Sequence, residues 1–119
     1  EGNLLGDFGL AGGGAAGFEL DRADTRLGTP LNAVVLATSH DHGDSFVLVP
    51  EDILTHHDTW SHEPVEDLIR ADIVYFETPK GGAVFSVGSI TFCGALPVNG
   101  GDNNVSRMMD NVVRRFLGN

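Results

Sequence analysis

The sequence predicts an α/β or α+β domain. Two observations carry that: apolar runs of strand length set between Gly- and Pro-rich turns, and one long amphipathic helix at the C-terminal end. The chain has 119 residues, of which 41% are hydrophobic. That is one domain's worth of chain, long enough to bury a core without disulfide or metal staples.

Residues 1–31 are loop-like, broken by glycines and Pro30, with only Phe18-Glu19-Leu20 reading as extended. Residues 32–39, "NAVVLATS", form a continuous apolar run and are expected to be a buried strand. "HDHGD" (40–44) reads as a turn and "SFVLVP" (45–50) as a second strand, so the two are expected to pair as a hairpin. Pro50-Glu51-Asp52 has the composition of a helical first turn, where proline is tolerated and acids suit the dipole. Residues 55–67 are polar and expected to be irregular, and strand character returns over 69–78, ended by Pro79. Lys80-Gly81-Gly82 turns the chain into 83–92, the second expected hairpin, and 94–101 reads as loop. Val105, Met108, Met109, Val112, Val113, Phe116 and Leu117 then fall on one helical stripe, expected to be core. Asp102 or Asn103 suits its N-cap, Gly118 its end, and Arg114 and Arg115 its negative pole.

Seventeen acidic residues face seven basic ones, a formal net charge of -10. Basic clusters that would grip nucleic acid are absent, and an anionic membrane surface would repel the chain. Neither a spanning apolar run nor a signal-peptide pattern occurs, and Cys93 is the one cysteine. A soluble cytoplasmic domain is expected, with Cys93 an inert core residue. Because the sequence begins at Glu1 without a methionine, residues 1–119 are expected to be one domain cut from a longer chain.

Three constellations could carry chemistry. Gly12, Gly14 and Gly17 satisfy G-x-G-x-x-G, but a dinucleotide turn needs a strand before the glycines and a helix directly after. "FELDRADTRLGTP" lacks a helical apolar period and contains Gly28 and Pro30, so no helix follows to hold a pyrophosphate. The glycines then serve tight turns, or present Glu19, a carboxylate that general acid–base chemistry could use from a partly desolvated pocket. His40-x-His42-x-Asp44 resembles the metal loop of metallo-β-lactamase-like hydrolases, yet Ser45 stands where the last histidine belongs and no histidine follows His62. An exposed turn is the simpler reading, with a metal hydrolase using His40 and His42 as an alternative. "THHDTWSHEP" places His56, His57, His62 and Glu63 without recognisable ligand spacing, around Trp60, which suits local packing or a partner contact.

"GGGAAGFELDR", "ADIVYFETPKGGAVFSVGSITFCGAL" and "NNVSRMMDNVVRRFL" together resemble the C-terminal part of the N,N-dimethylformamidase large (beta) subunit family, most densely over 11–22 and 71–117. The last third is also similar to the closing strand and helix of glutamine-amidotransferase-like domains. That similarity implies part of a three-layer α/β sandwich, with a mixed sheet, hairpins and a C-terminal amphipathic helix. The family resemblance implies an amidohydrolase that cleaves small N-substituted formamides to formate and an amine. It further implies a mononuclear iron held by two tyrosines and a glutamate, with another carboxylate handling water. Glu19 matches that carboxylate. Tyr75 is the one tyrosine here, so the iron ligands are expected upstream and Tyr75 is expected to be structural. The implied partners are the upstream part of the same chain, a small subunit, a second copy and a small amide substrate. A non-catalytic scaffold or interaction domain of amidotransferase-like fold is the alternative from another class.

Overall fold

A computed structural model of the protein describes residues 4–8, 14–49 and 64–118. Among these, a 3-10 turn (Thr25–Leu27) precedes strand β1 (Val34–Thr38), the one-turn helix α1 (Val65–Leu68), and strands β2 (Asp72–Glu77) and β3 (Ala83–Ser86). Helix α2 (Thr91–Ala95), a 3-10 segment (Val98–Gly101) and helix α3 (Asn104–Leu117) complete the order. The three strands form one sheet in the order β1-β2-β3, antiparallel throughout. The domain is therefore of mixed α and β type, as its sequence predicts.

The hairpin across Lys80-Gly81-Gly82 is present. Val74 faces Ser86 and Glu77 faces Ala83, and the turn is closed by the Thr78 amide donating to the Gly82 carbonyl at 2.7 Å. The first expected hairpin is not. Residues 45–49 form no strand, and β1 pairs instead with β2, Val34 opposite Tyr75 and Thr38 opposite Asp72. Polar locks at the end of this ladder explain the choice. The Ser39 amide donates to the Ala71 carbonyl at 2.9 Å, the Ala71 amide donates back to Ser39 Oγ at 2.8 Å, and Thr38 Oγ1 donates to Asp72 Oδ1 at 2.8 Å. The local turn offers no equivalent, and Val47 and Val49 stay exposed.

Two further expectations change. β1 is not buried: Val34, Val35 and Leu36 are 55%, 47% and 45% exposed, so apolar side chains stand on both faces of an edge strand. The strand expected over 83–92 stops at Ser86, because Gly88 at φ +68° turns the chain away and Thr91–Ala95 coils into α2. That coil turns Cys93 outward, so it is exposed rather than part of the core. Within the stretch expected to be irregular, Val65–Leu68 makes one helical turn. The proposed helix opened by Pro50-Glu51-Asp52 lies outside the described residues, as do His56, His57, Trp60, His62 and Glu63.

The core gathers Ala15, Ile73, Phe92, Ala95 and Val105, so it joins the sheet to α2 and α3 and takes in the glycine loop. Phe85 and Phe92 meet edge-to-face at 6.2 Å between centroids, a favoured aromatic geometry. Gly14 shows what the glycines are for. At φ +67°, a Cβ here would lie 1.9 Å from the Gly6 carbonyl oxygen, so only glycine lets these two backbones touch. Gly12 lies outside the described residues.

Helix α3 begins and ends where its sequence predicts. Asn103 caps it, its side chain accepting from the Ser106 amide at 2.9 Å, and Gly118 closes it in a left-handed conformation. Its apolar stripe is only half core. Val105 is fully buried and Val112 nearly so, whereas Val113, Phe116 and Leu117 stay exposed. Asn103 does more than cap, since its Nδ2 also reaches the carbonyls of Ala95, Leu96 and Val98. Asn103→Ala is expected to cost roughly 1–2 kcal/mol, the upper part of the capping range, measured by urea unfolding of this chain.

Candidate functional site

Glu19 stands on a backbone that its neighbours hold tightly. Ser89, only 6% exposed, lies at the turn between β3 and α2 and faces the glycine loop. Its hydroxyl donates to the Phe18 carbonyl at 2.8 Å, and Ser89 Oγ in turn accepts from the Gly17 and Phe18 amides at 3.3 and 3.4 Å. The Ile90 amide also donates to the Phe18 carbonyl, at 3.2 Å. Beyond Glu19, Leu20 bridges to Ser89 and the Asp21 amide donates to the Gly88 carbonyl at 2.8 Å. Between these fixed points Glu19 adopts φ +50°, the left-handed region, rather than the expected extended conformation. Left-handed backbone is uncommon for a side chain such as glutamate and persists only where the surroundings impose it. The carboxylate itself is exposed, displayed on a rigid bend.

A buried ionic lattice anchors the same loop to β2. Asp72 is 3% exposed, and its Oδ2 accepts from the Ala23 amide at 2.8 Å and from Arg70 Nε at 3.1 Å. The Asp72 amide donates to the Asp21 carbonyl at 3.0 Å. Three residues beyond Asp21, buried Asp24 accepts from Arg26 Nε at 3.0 Å and from Arg22 at 3.4 Å. Gly88 completes the junction, where a Cβ would lie 2.6 Å from the Asp72 carbonyl oxygen. A buried, fully partnered lattice of this kind fixes geometry more than it adds stability.

His40 and His42 do not converge. His40 Nδ1 pairs with Asp41 Oδ2 at 2.6 Å in solvent, while His42 Nε2 lies 2.7 Å from Ser39 Oγ. Burial, and then the nearby His40, hold the His42 imidazole below its ordinary pKa, partly offset by Asp41. Among the described residues no group of three His, Cys, Asp or Glu side chains is placed to hold a metal ion. His40 and His42 both border a concavity of about 550 Å³, together with Leu5, Ala15, Leu36 and Ile73, but they share no hydrogen-bond partner there. Glu19 is not on its wall.

Tyr75 is half-buried on the central strand β2, opposite Val34 on one side and Phe85 on the other. Its hydroxyl donates to Glu77 Oε1 at 3.2 Å, and Arg115 of α3 pairs with the same oxygen at 2.8 Å. Arg115 first, and Tyr75 second, hold the Glu77 carboxyl below the usual carboxylate range. This contact ties sheet to helix and leaves the tyrosine oxygen committed.

Sequence reasoning missed Ser89, Asp72 and Asp24. Asp72 carried a readable signal, since a charged residue opening an apolar strand is informative when it is buried. Ser89 carried none, because its partners lie about 70 residues away along the chain.

No helix among the described residues is long and apolar enough to cross a membrane. Residues 2–106 match the family described as N,N-dimethylformamidase beta subunit-like, C-terminal. The N,N-dimethylformamidase beta subunit of Paracoccus aminophilus is 46% identical over 113 residues, covering 95% of this chain and 15% of the relative. The beta subunit of the same name from Alcaligenes sp is 44% identical over 113 residues, again 95% of this chain and 15% of the relative. The chain thus spans about 15% of the length of these curated relatives. With the glycine-loop and hairpin motifs inside the matched span, the chain belongs to the N,N-dimethylformamidase beta subunit-like family, as its C-terminal portion.

Proposed function

We propose that this chain is the C-terminal segment of an amidohydrolase acting on small N-substituted formamides, and that it supplies Glu19 to an active site completed by polypeptide outside it. The observation that carries the reading is Glu19 itself. It is an exposed carboxylate on left-handed backbone, held from both sides, within a segment 46% identical to a dimethylformamidase subunit. Left-handed backbone carrying a charged side chain with no hydrogen bond or ion pair among the described residues is costly to keep unless the side chain acts on something else.

The chemistry assigned to Glu19 is proton handling. Its carboxylate accepts a proton from the water whose oxygen bonds to the formyl carbon, then returns that proton to the nitrogen as the C–N bond breaks. Formic acid and the free amine result, and the acid passes its proton to the amine to leave formate and the ammonium form, so atoms and charge balance. The iron implied by the resemblance finds no fitting donor set among the described residues, and Tyr75 is engaged by Glu77 and Arg115. The resemblance implies two tyrosine ligands and the sequence holds one tyrosine, so we place the tyrosine ligands in polypeptide outside this chain.

The same reading accounts for β1. A strand with apolar side chains on both faces is the pattern of a sheet covered on both sides, and the three-layer amidotransferase-like sandwich would cover it. The relatives are named beta subunits, so a second, smaller subunit belongs to the proposed assembly.

Formate release from dimethylformamide tests the division of labour. The 119-residue chain alone, supplied with iron, is expected to give none, and the longer polypeptide that carries it is expected to turn over. Measurable turnover by the chain alone, or a longer polypeptide inert toward N-substituted formamides, overturns the reading.

A further inference from the structure

We infer that Ser89 is a positioning residue for the Glu19 carboxylate, acting through the backbone of Gly17 and Phe18. The inference rests on the role proposed for Glu19 and adds the device that aims it. The direction of a side chain leaves the backbone along Cα–Cβ, so it is set by the φ and ψ of its own residue. For a non-glycine residue the left-handed well is shallow, and an unrestrained Glu19 would return to the extended or right-handed regions. Each return swings the carboxylate away from its present direction.

Restraint comes from both flanks, but the two flanks differ in kind. On the C-terminal side, the Leu20–Ser89 bridge and the Asp21–Gly88 hydrogen bond are backbone contacts that any residue at 89 would preserve. On the N-terminal side, the Ser89 hydroxyl holds Phe18 through both its carbonyl and its amide, and reaches the Gly17 amide as well. Thr91 Oγ1, 3.1 Å from Ser89 Oγ, holds the hydroxyl in place. A single buried side chain therefore supplies three of the four hydrogen bonds that restrain the backbone preceding Glu19, the fourth coming from the Ile90 amide. Removing it is compatible with folding. Phe18 is exposed, so water can take over its freed groups, and the Ile90 amide still holds the Phe18 carbonyl.

The experiment is a double-mutant cycle in the longer enzyme, with Ser89→Ala, Glu19→Gln and both together. Amide hydrogen exchange is followed over residues 17–20. Ser89→Ala is expected to lower kcat about 10- to 100-fold, as a displacement near 1 Å does, with KM within about twofold. Exchange at Gly17 and Phe18 should rise while exchange in β2 is unchanged. Ser89→Thr, which keeps the hydroxyl, should recover most of the rate. In the Glu19→Gln background, Ser89→Ala should cost little more, since a residue acting only through Glu19 has nothing left to position. A full additional loss in that background, or an unchanged kcat in Ser89→Ala, overturns the inference. Unchanged exchange at Gly17 and Phe18 overturns the clamp by itself, whatever the kinetics. If Glu19→Gln alone leaves turnover intact, the reading of Glu19 fails and the positioning role fails with it. Raised exchange in Ser89→Ala would then identify the clamp as purely structural.

Discussion

Glu19→Gln in the longer enzyme is expected to lower turnover of dimethylformamide about 10²- to 10⁴-fold, the usual range for removing a positioned acid–base group. Glutamine matches glutamate in length and shape, so the substitution leaves the packing of the bend alone. It removes the ability to take a proton from water near neutral pH. Because the side chain is exposed in this domain, the stability change should stay within about 0.5 kcal/mol, as for most surface substitutions. A role in shaping the loop predicts the reverse pattern, with lost stability and little direct effect on kcat. Formate release and thermal unfolding, measured on the same preparations, separate the two. Normal turnover in a folded Glu19→Gln enzyme removes Glu19 from the mechanism. A KM change with kcat preserved would make it a binding group instead.

What could be read in advance follows the range of the forces involved. Helix α3 was legible to its caps because periodicity, Asn103 and Gly118 are local signals that all agree. The hairpin of β2 and β3 was legible for the same reason, with Pro79 and two glycines between two apolar runs. The partner of β1 was not. "NAVVLATS" suits either neighbouring run, and the decision rests on Thr38 meeting Asp72 and Ser39 meeting Ala71, contacts more than 30 residues apart. The glycine loop divides the same way. Its lack of a following helix was readable and argued against a dinucleotide turn, but the contact of Gly14 with Gly6 and the left-handed Glu19 depend on the folded core. Resemblance pointed to Glu19, whereas the means of holding it lies in Ser89 and Gly88, which no short-range pattern marks.

Asp72→Ala is expected to destabilise this chain by about 3–5 kcal/mol, the cost of leaving one half of a buried ion pair behind. One carboxylate satisfies three donors: the Thr38 hydroxyl, the Ala23 amide and Arg70. Alanine strands all of them, although Arg70, with 29% of its side chain exposed, can recover some hydration. That places the expected value toward 3 kcal/mol. Asp72→Asn is the informative comparison, because its oxygen can still accept from the hydroxyl or the amide while the charge opposite Arg70 is gone. A loss of about half, roughly 1–2 kcal/mol, is expected for it, the range of one buried hydrogen bond lost. Urea unfolding of this chain measures both, and a loss below about 1 kcal/mol for Asp72→Ala would show that the lattice is not holding the fold. The position ties stability to chemistry. The Asp72 amide holds the Asp21 carbonyl, and Asp21 in turn holds Gly88, next to Ser89. Loosening Asp72 should therefore raise amide exchange at Asp21 before the sheet opens, because the loop depends on the lattice while β2 still pairs on both sides.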